Sequence, residues 1–192
     1  MVYEEDGLAV TCRHVVETAS GGLVSEGIAG IPDEKTVGYN PSEFTVKRTE
    51  RCHDLALIKI AGGPFKKLNL DDDFGDRIAG EEIAIFGFPF APYLKHPSLT
   101  KGIISALFTD PANNVDMIQT DTWIYEASSG SPVFLIDEPK VIGYATSSFD
   151  PFAEFMPQTG FQVKFGDKPL QDRTNICFVV PSKYILEFLK TI

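Results

Sequence analysis

Residues 121–133 read Asp-Thr-Trp-Ile-Tyr-Glu-Ala-Ser-Ser-Gly-Ser-Pro-Val. Ala127 to Ser131 is an unbroken run of very small residues, closed by Pro132 and followed by the apolar run Val133-Phe134-Leu135-Ile136. Small residues let a backbone turn sharply and come close to a ligand. A nucleophilic serine needs such a turn, because backbone N–H groups must point at the oxygen that becomes negative during acyl transfer. Upstream lie Thr11-Cys12-Arg13-His14-Val15-Val16 and His53-Asp54-Leu55-Ala56-Leu57-Ile58-Lys59-Ile60. A histidine, an aspartate and a serine in that order is one of the chain orders in which hydrolases assemble a triad. Each residue alone has a plain structural explanation: a strand-end histidine, a strand-entry aspartate, a Ser-Gly turn. Their occurrence together, in order, favours chemistry. Two serines of the small-residue run, Ser128 and Ser129, are candidates for the nucleophile.

The rest of the chain is punctuated like an all-β protein. Leu8-Ala9-Val10-Thr11, Leu55-Ala56-Leu57-Ile58, Ile83-Ala84-Ile85-Phe86 and Ile142-Gly143-Tyr144-Ala145 are short apolar or alternating runs separated by Gly, Pro, Asn and Asp. That pattern predicts a barrel or a sandwich. Only Pro181 to Lys190 reads as a helix, with apolar residues at 185, 186, 188 and 189 and Pro181 suited to the first turn. Residues 149–175 form a long connection rich in phenylalanine, either a hairpin with its aromatics packed inward or a flap over a cleft.

At the three blocks the chain resembles the trypsin-like serine peptidases, most closely their HtrA/DegP branch. That family carries Thr-Ala-x-His-Val around its histidine, and this chain has Thr-Cys-Arg-His-Val at 11–15. It carries Asp-Leu-Ala-Leu-Leu-Lys-Val around its aspartate, and this chain has Asp-Leu-Ala-Leu-Ile-Lys-Ile at 54–60. Its serine block, Gln-Thr-Asp-Ala-x-Ile-x-x-Gly-Asn-Ser-Gly-Gly-Pro, aligns without a gap to Gln119 through Pro132 and makes Ser129, not Ser128, the nucleophile. Ile85 to Pro89 and Val141 to Ala145 match more weakly. The resemblance implies an all-β fold of two antiparallel six-stranded-type barrels with a C-terminal helix. One half would cover residues 1–72, a connection 73–80, and the other half 81–192. Thirteen residues precede His14, so either the first barrel is abbreviated or the chain is trimmed at its start. No stretch reads as the PDZ module that many HtrA relatives carry.

The resemblance also implies roles: His14 would act as general base, Asp54 would fix its tautomer, and Ser129 would be the nucleophile. The N–H groups of Ala127 and Ser129 would form the oxyanion hole. Trp123 and Ile124 would border the primary specificity pocket, and Thr146, Ser147 and Ser148 would pair with the substrate backbone. Trp123 falls where trypsin has the aspartate that binds Lys or Arg, implying a shallow apolar pocket for small or medium aliphatic side chains. Three positions depart from the family: Ala127 and Ser131 replace glycines, and Ser128 replaces Asn or Asp. If the hole needs a positive φ at 127, a Cβ there costs about 1–2 kcal/mol. Two readings follow: an active serine endopeptidase, or a catalytically impaired module that binds a peptide or protein in the same cleft.

Composition sets outer bounds. The chain has 192 residues and a formal net charge of −10. Without a basic cluster, that acidity argues against nucleic acid and anionic membrane surfaces as partners. Asp71-Asp72-Asp73 reads as a solvated loop, because no further oxygen ligands follow at calcium-loop spacing. The proposed chemistry requires no cofactor and no metal. Three cysteines, Cys12, Cys52 and Cys177, imply no disulfide framework, and Cys12 and Cys52 read as buried apolar thiols. His53 reads as a neighbour of the triad and His96 as a loop residue. The opening residues Met-Val-Tyr-Glu-Glu-Asp have neither a basic start nor an apolar run, which points to a cytoplasmic setting.

Overall fold

The computed structural model describes residues 1, 4–18, 20–33, 38–71, 73–75, 77–89, 96–125, 127–138, 140–148, 164–165, 168–169 and 174–191. The first half is a four-stranded antiparallel sheet. It holds β1 (Leu8–Cys12), β2 (Glu26–Asp33), β3 (Gly38–Glu50) and β4 (Leu55–Ile60), in the order β1-β4-β3-β2. A 3₁₀ turn, Arg13–Val16, follows β1. The second half is a closed six-stranded barrel, ordered β12-β7-β6-β5-β8-β9. Its strands are β5 (Glu82–Gly87), β6 (Ser98–Asp110), β7 (Val115–Thr120), β8 (Pro132–Leu135), β9 (Val141–Ser148) and β12 (Cys177–Pro181). Lys164–Phe165 (β10) and Lys168–Pro169 (β11) pair with each other. A helix, α1 (Ser182–Lys190), ends the described chain.

The expected all-β architecture is therefore present, with the first barrel reduced to a sheet. The apolar run of β4 is buried on both faces, as is β1 beside it, so the sheet needs cover from both sides. Leu55 and Leu57 of β4 join Val10 and Cys12 of β1 in one cluster, which continues through Tyr144, Val180, Ile185 and Phe188 of the second half. Ala56, Ile58 and Ile60 face the other way, with Ala9 and Val16, into the sheet's own core. Strand alternation thus divides one sequence run between an internal core and the seam. The barrel has its own core around Ile83, Ile104, Ile118, Val133 and Val179.

In α1 the buried Ile185 and Phe188 face the seam at helical spacing. Arg48 of β3 lies over the Phe188 ring and donates to the carbonyls of Phe188 and Thr191, satisfying groups that a helix end leaves unpaired. No helix among the described residues is long and apolar enough to cross a membrane.

Several expectations need correction. Cys52 is exposed rather than buried, because it sits in the β3–β4 turn outside both cores. Asp71 is buried rather than solvated, and pairs with Arg77 at 3.1 Å. Pro181 caps α1 in an extended conformation instead of lying in its first turn. Ile124 is 6% exposed within the barrel core, so its side chain faces away from any surface pocket. The stretch between β4 and β5 runs from 61 to 81 and contains the expected connection 73–80. The alternatives for residues 149–175 fall largely outside the described residues.

Candidate active site

The ladder between β1 and β4 sets the first half of the site. Cys12 pairs with Leu55, so residues just after β1 meet residues just before β4. Arg13 N–H donates to the Asp54 carbonyl at 2.7 Å, and His14 N–H donates to Asp54 Oδ1 at 2.9 Å. The His14 ring Nδ1 lies 2.6 Å from Asp54 Oδ2. Backbone and ring therefore hold the two oxygens of one carboxylate, which fixes the imidazole's orientation. Asp54 has φ 55°, a left-handed conformation that aspartate tolerates better than most residues. Thr146 of β9 donates its hydroxyl to Asp54 Oδ2 at 3.2 Å.

The electrostatics follow from these contacts. The Asp54 carboxylate beside it raises the pKa of His14 above the usual histidine value, against the opposing effect of burial. Burial would raise the Asp54 carboxyl, but hydrogen bonds from the His14 ring and N–H and from Thr146, with the histidine's charge, leave it below the usual value. Burial pushes the neighbouring Cys12 thiol far above its ordinary value, and the Asp54 charge adds to that. Cys12 is not a competing nucleophile.

Ser129 comes from the connection between β7 and β8. Ser131 N–H closes a turn onto the Ser128 carbonyl at 3.0 Å. Gly130 N–H donates to the Ala145 carbonyl at 2.8 Å, tying the turn to β9. Gly130 has φ 80°, and a Cβ there would lie 2.6 Å from Thr11 Oγ1 and 3.2 Å from Cys12 N. The glycine lets this turn press against the end of β1, just before His14. Ser128 is buried, and its hydroxyl accepts the Tyr125 N–H at 3.3 Å. Ser129 is half-buried, and its hydroxyl donates to the Thr146 carbonyl at 3.2 Å. Among the described residues, no hydrogen bond joins Ser129 to the free nitrogen of the His14 ring.

Ala127 occupies φ 67°. The backbone takes the left-handed region despite its Cβ. Among the described residues, the N–H groups of Ala127 and Ser129 have no hydrogen-bond acceptor, while those of Ser128, Gly130 and Ser131 all do. The same strain makes a stability prediction. Ala127→Gly removes a left-handed penalty of about 1–2 kcal/mol and adds glycine's unfolded-state entropy of about 0.5–1 kcal/mol. A net gain of about 0.5–1 kcal/mol should appear as a higher urea midpoint at unchanged slope. The other substitution of a family glycine, Ser131, is accommodated by Gly87, where a Cβ would come within 2.2 Å of the Ser131 hydroxyl.

Thr146 was expected to serve only the substrate strand, yet it touches both Asp54 and Ser129. It lies where the β9–β12 register shifts, between the pairs Val179↔Ala145 and Phe178↔Ser147. Such a bulge re-aims a side chain. Beyond Ala145, β9 is flanked by β12 but not by β8, so one edge of Thr146–Ser148 carries no strand among the described residues. Trp123 is 48% exposed and stacks with Tyr125 at 6.4 Å.

Sequence reading missed Tyr144. It is fully buried on β9, and its hydroxyl donates to the carbonyl of His53, the residue before Asp54. The second half thus holds the turn that carries Asp54.

Comparison with known proteins agrees with this architecture. The family model described as trypsin-like peptidase domain matches residues 1–143. The chain is 33% identical over 150 residues to a probable periplasmic serine endoprotease, DegP-like, of Halomonas elongata, covering 77% of this chain and 28% of that protein. It is 31% identical over 183 residues to the serine protease HTRA3 of Homo sapiens, covering 89% of this chain and 38% of that protein. The chain thus spans 28% to 38% of these curated relatives. In fold it is similar to an HtrA-type protease, AlgW, solved with a decapeptide. The TM-score is 0.72 at 23% identity, over 100% of this chain and 50% of that one.

Proposed function

The chain belongs to the trypsin-like peptidase family, on its HtrA branch, and from that premise we propose that it is a serine endopeptidase using Ser129, His14 and Asp54. The observation that carries this reading is the double hold of His14 on Asp54, at 2.6 Å through the ring and 2.9 Å through the backbone. A surface ion pair does not require both. The arrangement is what a general base needs to keep its second nitrogen presented to a hydroxyl.

The resting Ser129 hydroxyl donates to the Thr146 carbonyl. In the reaction it turns from that carbonyl to the free nitrogen of His14. Its oxygen then attacks the peptide carbonyl carbon while its proton passes to the imidazole. The carbonyl oxygen becomes an oxyanion held by the N–H groups of Ala127 and Ser129. The C–N bond breaks as the imidazolium returns the proton to the leaving amine. Water, deprotonated by His14, hydrolyses the acyl-enzyme and restores Ser129. An extended substrate would add along the open edge of Thr146–Ser148, with the Trp123–Tyr125 pair bordering a shallow site for small or medium aliphatic side chains. The peptide bound to the similar AlgW supports a peptide as ligand class.

Protonated His14 accepts no proton, so kcat/KM should fall with acid. Because Asp54 raises the histidine's pKa, the midpoint should lie above the ordinary value of about 6.5. A pH–rate profile on a fluorogenic peptide measures it, and a midpoint at or below 6.5 contradicts this pairing.

The serine's present partner, Thr146, favours a second reading, a peptide-binding module whose nucleophile stays idle. A fluorophosphonate probe separates the two. Covalent labelling at Ser129 supports the peptidase, and an unlabelled but peptide-binding chain supports the module.

A further inference from the structure

We propose that the β3–β4 turn is a binding site for a borderline-soft divalent cation, zinc in particular, held by Glu50, Cys52 and His53. One ligand atom from each, a carboxylate oxygen, a thiol sulfur and a ring nitrogen, lies within 4.8 Å of the others. Bond lengths of about 2.0–2.3 Å in a tetrahedral zinc site put ligand atoms roughly 3.3–3.8 Å apart. The widest separation must therefore close by at most about 1.5 Å, within the reach of an exposed cysteine side chain, while the Glu50 oxygen and His53 Nδ1, now 2.9 Å apart, open slightly.

The other two ligands are already oriented. Both oxygens of Glu50 accept backbone N–H groups, from Cys52 and from His53. The His53 ring lies at 2.9 Å from Glu50 through Nδ1 and stacks on Tyr184 at 4.0 Å. Its carbonyl is held by the Tyr144 hydroxyl. The backbone N–H bonds to Glu50 are outer contacts of the kind that fix carboxylate ligands in metal sites, whereas the His53–Glu50 bond joins two of the ligands and gives way to the ion. Side-chain exposures of 31% for Glu50 and 21% for His53 leave both reachable from solvent.

The donor set decides the ion. A thiolate, an imidazole and one carboxylate suit zinc, whereas calcium and magnesium require mostly oxygen ligands. Three protein ligands leave a fourth position for water. The thiol and the imidazole coordinate in deprotonated and neutral form, so binding releases the thiol proton to solvent. Cys12, His14 and Asp54 form a second compact group, but Cys12 is buried whereas Cys52 is exposed and open to an incoming ion. The turn is the better site, and its occupation does not depend on the peptidase reading.

The test is a titration of the full chain with Co²⁺, followed by thiolate-to-cobalt charge-transfer absorption, with Zn²⁺ as displacing ion. We expect one ion per chain, displaced by Zn²⁺. Cys52→Ser should abolish the band, while circular dichroism remains that of the parent. His53→Gln should weaken binding at least tenfold, since even outer-shell losses in metal sites cost about 10–100-fold. His14→Ala should keep the band. No band in the parent would overturn the site and leave Glu50 as a cap of the turn. A band that survives Cys52→Ser, or is lost in His14→Ala, would overturn it in favour of the Cys12 group.

Discussion

Ser129→Ala should leave the fold unchanged and lower peptide hydrolysis by about 10⁴- to 10⁶-fold, the loss seen when a triad nucleophile is removed. The substitution deletes one oxygen whose only described partner is the Thr146 carbonyl. That carbonyl remains on a half-exposed stretch of β9, so stability should change by less than about 1 kcal/mol. Fluorophosphonate labelling should vanish with the hydroxyl. The neighbouring serine supplies the control. Ser128 is buried and its oxygen accepts the Tyr125 N–H, so Ser128→Ala should cost about 1 kcal/mol of stability and keep the label. Labelling lost in Ser128→Ala but kept in Ser129→Ala would move the nucleophile by one residue.

Asp54→Asn should lower kcat by about 10⁴-fold. Asparagine is the right probe because Asp54 lies at φ 55°, which asparagine also tolerates. Alanine would mix backbone strain into the result. The amide keeps the size of the side chain but loses its charge and one acceptor. His14 then lacks the partner that holds its tautomer and raises its pKa. The surviving activity should titrate with a midpoint displaced downward, towards about 6.5. A variant with parental kcat, or with its midpoint unmoved, would remove Asp54 from the mechanism and reduce its contact with His14 to a structural one.

The three site segments could be read from sequence because each is a local chemical requirement. A run of small residues permits the Ser129 turn, and apolar runs before His14 and after Asp54 mark the strands that place them. What could not be read is non-local. Tyr144 is one apolar residue in a strand until the fold places its hydroxyl on the His53 carbonyl. The second role of Thr146 depends on a register shift against β12 that no residue type announces. Ile124 was misread because it follows the end of β7 in an irregular stretch, where strand alternation no longer tells which way a side chain faces. The β2–β3 pair was missed for a related reason. Its glycines, prolines and charged residues dilute the pattern of Ala29, Phe44 and Val46, which pack against the sheet's core.

The division of the site across the seam has a consequence for the life of the molecule. His14 and Asp54 belong to the sheet and Ser129 to the barrel, and the Asp54 turn is braced from the barrel by Tyr144 and Thr146. A chain emerging from the ribosome completes the sheet well before β9 exists. Until Ser129 and then β9 have been made, such a chain holds His14 and Asp54 without the bracing from Tyr144 and Thr146. Under the proposed mechanism an unfinished chain would be inactive until both halves are in place, and parting of the halves would separate His14 and Asp54 from Ser129.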